Sequence, residues 1–89
     1  MAKMIITHGV VDVNSWLSFK SERAEAISAM GATQVVDYVA QDGSNAAAIA
    51  ADVDDVVSVL AAVGSPPPEL MDAMQRHGVI PPMTIYIEG

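Results

Sequence analysis

The run from Met4 to Val11 is almost wholly apolar and rich in β-branched residues. It stops at Asp12 and passes at once into an amphipathic stretch that opens on Trp16. A run this short is a strand rather than a helix, and one without an exposed polar row is buried on both faces. Alternation puts Met4, Ile6, His8 and Val10 on one side, with Asp12 in line beyond them, and Ile5, Thr7, Gly9 and Val11 on the other. His8, one of two histidines, therefore sits in an apolar row. The only tryptophan lies just past the carboxyl end of the same strand.

The following segments fix the order of elements. Asn14 is a suitable N-cap and Gly31 a suitable C′ residue, which brackets a helix from about Ser15 to Met30. Its stripe is Trp16, Leu17, Ala24, Ile27 and Met30, extended by the stem of Lys20. Thr33 to Ala40 reads as a second strand, and Asp42-Gly43 is a hairpin signal that predicts a returning strand. Propensity alone would make Ala46 to Val63 one long helix. The hairpin, together with Asp52 or Asp54 as an N-cap and Asp55 near N3, divides it into a strand over Ala46 to Asp52 and a helix over Val53 to Val63, ended by Gly64. Pro66 to Pro68 start a short helix that runs to Arg76 or His77 and closes at Gly78. Pro81 and Pro82 give an extended lead into a last strand, Met83 to Glu88.

The order is β-α-β-β-α-(short α)-β: an α+β, ferredoxin-like βαββαβ domain over residues 1–89, with both main helices on one face of an antiparallel four-stranded sheet. The bare face needs cover. A chain of 89 residues removes only about 60 to 65% of its unfolded surface from water, yet 52% of this one is hydrophobic. A surplus of apolar surface on so small a domain points to a second copy of the chain.

The frame His8-x-Val10-x-Asp12-x-x-x-Trp16, the Asp42-Gly43 hairpin and the tail from Ser65-Pro66 to Met74-x-x-His77-Gly78-Val79 resemble the small stand-alone proteins of the dimeric α/β-barrel superfamily. The resemblance covers nearly the whole chain. It implies two ferredoxin-like sheets packed face to face as a homodimeric barrel, each subunit with a cleft between its own sheet and helices. Members include polyketide cyclases, antibiotic-biosynthesis monooxygenases, muconolactone isomerases and haem-degrading monooxygenases, so the fold does not name the chemistry. Haem-degrading members have an asparagine, a tryptophan and a histidine around the porphyrin. Here the strand position holds His8 and the tryptophan is in the first helix, which argues against haem.

Charge excludes other partners. Eleven acids against four bases give a formal charge of −7, and such a surface repels phosphate backbones and anionic lipid. No apolar run approaches the roughly 20 residues of a membrane span, and Met1 to Ile6 is too short for a signal peptide. The lack of cysteine suits a reducing compartment, so a soluble cytoplasmic protein is expected. No metal is expected: two distant histidines without cysteine make a poor transition-metal set, and Asp52, Asp54 and Asp55 lack calcium-loop spacing.

His8 is the leading catalytic candidate, because an imidazole in apolar surroundings exchanges protons near neutrality. The alternative is a buried histidine bonded to backbone or to a tyrosine. Tyr86 and Thr84 lie on the strand that pairs with the first one, which makes Tyr86 a candidate proton-handling partner. Trp16, Asp12, Tyr38 and Thr84 are candidate ligand contacts, although Trp16 also suits the core and Asp12 a helix start, some 13 Å along the backbone from His8 at ~3.3 Å per residue. His77 suits a helix C-terminus as a cap. Two functions fit these residues. One is a cofactor-independent cyclase, isomerase or monooxygenase acting on a small apolar or aromatic compound through His8. The other is a non-catalytic small-molecule-binding or accessory homodimer.

Overall fold

The computed structural model describes residues 2–89. The elements run β1 (Ala2–Val10), α1 (Val13–Ser18), α2 (Lys20–Ala29), β2 (Ala32–Val39), β3 (Ala46–Val53), α3 (Val56–Gly64), α4 (Pro68–Arg76) and β4 (Val79–Ile87). The strands form one antiparallel sheet in the order β2-β3-β1-β4. This is the ferredoxin-like arrangement. One sheet face is dry: Met4, Ile6 and Val10 of β1 and Ile49, Ala51 and Val53 of β3 pack with Trp16, Ile27 and Val59 from the helices. The other face is bare, with Ile5, Val36, Tyr38 and Tyr86 exposed.

The alanine stretch is a strand. Its residues pair on both sides, Ala51 with Met4 and Ala50 with both Ile5 and Val36, so long-range pairing overrides the helical propensity of alanine.

Several boundaries differ from the sequence reading. Asp12, not Asn14, is the first N-cap; its Oδ1 accepts the Asn14 N–H at 3.2 Å, and the helix begins at Val13. The single helix expected from Ser15 to Met30 breaks at Phe19. The Trp16 carbonyl accepts from the Phe19 N–H at 3.2 Å and from Arg23 Nη1 at 3.0 Å, so it does not continue the α-helical ladder. Asp55 caps α3, holding the Ser58 N–H and hydroxyl at 3.2 and 2.8 Å, so it displaces Asp52 and Asp54 from that role. β4 begins at Val79 rather than Met83 and carries Pro81 and Pro82 inside it. An edge strand tolerates prolines because one side of its backbone needs no ladder partner, and the β1–β4 register shifts between Thr7 and Gly9 opposite them. At Gly78 the chain turns from α4 into β4 with φ +74°, and an added Cβ would stand 3.4 Å from Val11 Cβ.

A second irregularity decides which side chains meet. Gln34 has φ +55°, and the β2–β3 register shifts between Thr33 and Val36. One extra residue reverses the alternation beyond it. Asp37 is thereby turned to the helix side, where its side chain is 3% exposed, and Tyr38 to the bare side.

Candidate functional site

A cavity of about 70 Å³ lies between the dry face of the sheet and helices α2 and α4, lined by His8, Arg23 and His77 among aliphatic and methionine side chains. His8 reaches it because it shares its row of β1 with Met4 and Ile6, and that row faces the helices. Nδ1 lies 2.8 Å from the Gly9 carbonyl oxygen. A carbonyl only accepts, so the proton is on Nδ1 and Nε2 keeps a free lone pair. Burial pushes the His8 pKa below its ordinary value, and Arg23 adds to that; the Gly9 hydrogen bond and Asp37 oppose it. His8 is thus a neutral base at pH 7.

Trp16 is fully buried. Its ring meets His8 edge-on with centroids 5.7 Å apart, and the Arg23 guanidinium carbon sits 3.8 Å from the ring centroid on its face. The indole is core and at the same time the plate that holds His8 and Arg23 in place. Its Nε1–H has no partner among the described residues.

Arg23 joins the cluster together. It pairs with Asp37 through Nε–Oδ1 at 3.2 Å and Nη2–Oδ2 at 3.0 Å, with both side chains nearly inaccessible. Its Nη1 faces the Trp16 carbonyl at 3.0 Å and His77 Nδ1 at 3.4 Å. Arginine only donates, so His77 Nδ1 accepts and its proton is on Nε2, the opposite tautomer to His8. The imidazole of His77 stacks on Phe19 at 4.5 Å. Nε2 stands 3.5 Å from Glu22 Oε1, an ion-pair distance without hydrogen-bond geometry. Burial, then Arg23, lowers the His77 pKa, and Glu22 opposes the shift. Glu22 in turn meets Arg76 at 2.6 Å, and that contact holds its carboxyl below the usual range.

The structure separates several expected site residues from His8. Tyr86 pairs with Ile5 and Thr84 with Thr7, so both project from the bare face while His8 projects from the other. The expected His8–Tyr86 partnership is not formed, because directly paired residues share a face and Ile5 and Thr7 are on the outer one. Tyr38 is on the bare face too, where it lines an open depression with Thr7, His8, Ala48 and Thr84, so β1 at His8 borders this depression although its imidazole also lines the inner cavity. Asp12 is exposed at the start of α1. His77 occupies the expected helix C-cap position, but its side chain turns into the interior instead of toward the helix end.

Arg23 and Asp37 had no place in the sequence reading of the site. Arg23 follows Trp16 by seven residues and precedes Ile27 by four, so the stripe Trp16-Arg23-Ile27-Met30 held the signal. Among the described residues no group of three or more His, Asp or Glu side chains is placed to hold a metal ion, and no helix is long and apolar enough to cross a membrane.

By sequence the chain matches no protein-family model and no curated protein. By structure it is similar to an antibiotic biosynthesis monooxygenase, with a TM-score of 0.67, 11% identity and coverage of 100% of this chain and 97% of that one. It is also similar to a mutant of SnoaB, a cofactor-independent oxygenase from Streptomyces nogalater, with a TM-score of 0.65, 13% identity and coverage of 96% and 89%. A dimeric ferredoxin-like protein from an uncultured marine organism matches with a TM-score of 0.61, 9% identity and coverage of 100% and 93%. The chain therefore has the fold of the ferredoxin-like α/β-barrel proteins that its sequence resembles.

Proposed function

We propose that the protein is a homodimeric, cofactor-independent oxygenase acting on a small aromatic compound with an acidic hydroxyl, and that His8 is its base. The observation that carries this reading is the state of His8: neutral, its Nδ1–H held by the Gly9 carbonyl, and its Nε2 lone pair free beside a cavity whose other lining, apart from Arg23 and His77, is apolar. Nε2 takes the hydroxyl proton, which gives an electron-rich phenolate in surroundings that solvate it poorly. Reaction with dioxygen converts a ring C–H and the O–H into a quinone carbonyl pair, one oxygen atom entering the product and the other leaving as water. The structural likeness to a cofactor-independent oxygenase supports this choice over cyclisation or isomerisation. Homodimerisation through the bare face is supported by the exposed Ile5, Val36, Tyr38 and Tyr86 there, and by the likeness to a dimeric protein.

The test is oxygen uptake with a panel of naphthols, hydroquinones and anthrone-like phenols. Wild type consumes oxygen with at least one of them, and His8→Gln loses about 10²- to 10⁴-fold in rate, the range for a general base. Equal rates for the two proteins would remove His8 from the mechanism. A second reading, a non-catalytic binding or accessory dimer, is favoured by the size of the cavity, about 70 Å³, against the roughly 150 Å³ of a cavity known to admit benzene. Absence of both oxygen uptake and any ligand-induced rise in melting temperature across the panel selects it.

A further inference from the structure

The cavity beside His8 is smaller than the aromatic ligand it is assigned, so one of its walls must move. The sheet is the fixed wall, with β1 and β3 paired on both sides. The movable wall is α4, which contributes Leu70, Ala73, Met74 and, at its C-cap, His77. It is bounded as a unit by the Ser65-to-Pro67 connector and by Gly78. An outer groove of about 390 Å³ on the other side of this wall shares Ala26, Met30, Leu70 and Ala73 with the cavity. Two alanines and two flexible side chains separate the compartments, and outward movement of α4 joins them.

We propose that α4 is a latched wall of the cleft, held shut by neutral His77 seated between Phe19 and Arg23, and released when His77 gains a proton and exchanges Arg23 for Glu22. The proposal rests on the ligand cleft of the preceding reading and adds its regulation. The geometry leaves His77 two partners of opposite sign. Nδ1 accepts from Arg23 Nη1 at 3.4 Å, while Nε2 points toward Glu22 Oε1 at 3.5 Å. A proton on Nδ1 destroys that acceptor and sets an imidazolium against a guanidinium in a site where His77 is 4% exposed. Arg23 cannot yield, since Asp37 and the Trp16 carbonyl hold it.

The groups facing the imidazole on all sides support movement toward the surface. From the α1–α2 junction it is Phe19; from α2, Arg23 and Glu22; from α4, Arg76, which Asp72 and Glu22 anchor on the exposed side; from β2, Asp37 acts only through Arg23; and His8 of β1 shares the cavity. Glu22 stays ionised in mild acid because Arg76 lowers its pKa, so it is available to receive the imidazolium.

The sign of the effect follows from linkage. His77 binds its proton less readily in the closed state than when released, near its ordinary value of about 6.5. The opening constant therefore rises as pH falls through that value, by at most about tenfold per pH unit, and levels off below the closed-state pKa.

The experiment needs no substrate. Hydrogen exchange at α4 amides, corrected for intrinsic pH dependence, and acrylamide quenching of Trp16, the only tryptophan, are followed from neutral to mildly acidic pH. Wild type and His8→Gln both open with acid, whereas His77→Gln and His77→Phe show no acid step. The Phe variant keeps the stack on Phe19 should the Gln variant fail to fold. An acid step of wild-type size in either His77 variant, or none in wild type while the His77 resonances titrate, overturns the latch. Loss of oxygenase activity in every assay leaves this result untouched, and a working oxygenase with a pH-independent α4 refutes the latch alone.

Discussion

The buried Arg23–Asp37 pair should be the most mutation-sensitive feature of the protein, and its cost can be worked from its geometry. Both side chains are almost fully inaccessible, at 6% and 3% exposure, and are joined by two charge-assisted hydrogen bonds of 3.2 and 3.0 Å. Asp37→Leu leaves a guanidinium under Trp16 without its counter-ion. Breaking such a pair from one side costs about 3–5 kcal/mol. At ~0.05–0.15 kcal/mol per residue the whole domain has roughly 4–13 kcal/mol of stability, so the variant loses about a quarter of it or more and melts at least about 12 °C lower. Arg23→Met costs as much, because it buries a lone carboxylate and also removes the cation–π contact and the bond to His77. The double variant Arg23→Met/Asp37→Leu buries neither charge, and its cost comes mainly from His77 Nδ1, about 1–3 kcal/mol for an unmet acceptor. Urea unfolding followed by Trp16 fluorescence should give a coupling of about 3 kcal/mol or more between the two sites. Additivity within about 0.5 kcal/mol, the behaviour of independent sites, would falsify the claim that the pair organises the core.

Two other perturbations address the pH response and the bare face. Both histidines have lowered pKa values in the fold, so the unfolded chain binds more protons. Stability is therefore full above about pH 6.5 and declines below it, by up to about 1.4 kcal/mol per pH unit for each histidine. His8→Gln and His77→Gln each remove one share from the slope of urea midpoint against pH, and a slope unchanged in both refutes the buried, neutral assignment. Ala48→Glu puts a charge at the centre of the bare face, between Tyr38 and Thr7 in the pairing register; it should give a folded monomer in sedimentation, where wild type is a dimer. A monomeric wild type at micromolar concentration contradicts the paired barrel outright.

How much of this could be read from the sequence depended on whether parity along a strand was preserved. β1 has no extra residue between Met4 and His8, so alternation keeps His8 in one row with Met4 and Ile6, and the burial of that row in the assembled fold turns it inward. Its β4 neighbours were also correctly chosen as neighbours, and Met83 and Ile85 do lie opposite Thr84 and Tyr86, but alternation does not say which row faces in. Pairing of Tyr86 with Ile5 settles that it faces out. On β2 the Gln34 bulge reverses the pattern, and no simple alternation count could have carried Asp37 inward. The alanine strand was legible because Asp42-Gly43 announced a hairpin and the aspartates after it announced a helix start, against the preference of alanine itself.

Arg23 was hidden for a different reason. A charge on a helix is ordinarily assigned to the solvated side, and here it is drawn inward by an acid whose own position rests on a bulge in another element. Neither residue would be stable at its site without the other, so the pair is a property of the assembled fold rather than of either segment. Tyr86 and His8 are likewise divided by the assembled sheet, one on each face. A four-stranded sheet with helices on one side gives each strand a face for the interior and a face for assembly. His8, Arg23 and His77 converge on the first, where burial lowers the pKa of both histidines. Tyr86, Tyr38 and Thr84 share the second, where a partner copy would bury them. Substitutions at Tyr86 should therefore register in the monomer–dimer equilibrium before they register in any proton transfer. A Tyr86→Phe variant that keeps wild-type self-association but loses turnover would require the two faces to communicate through the sheet.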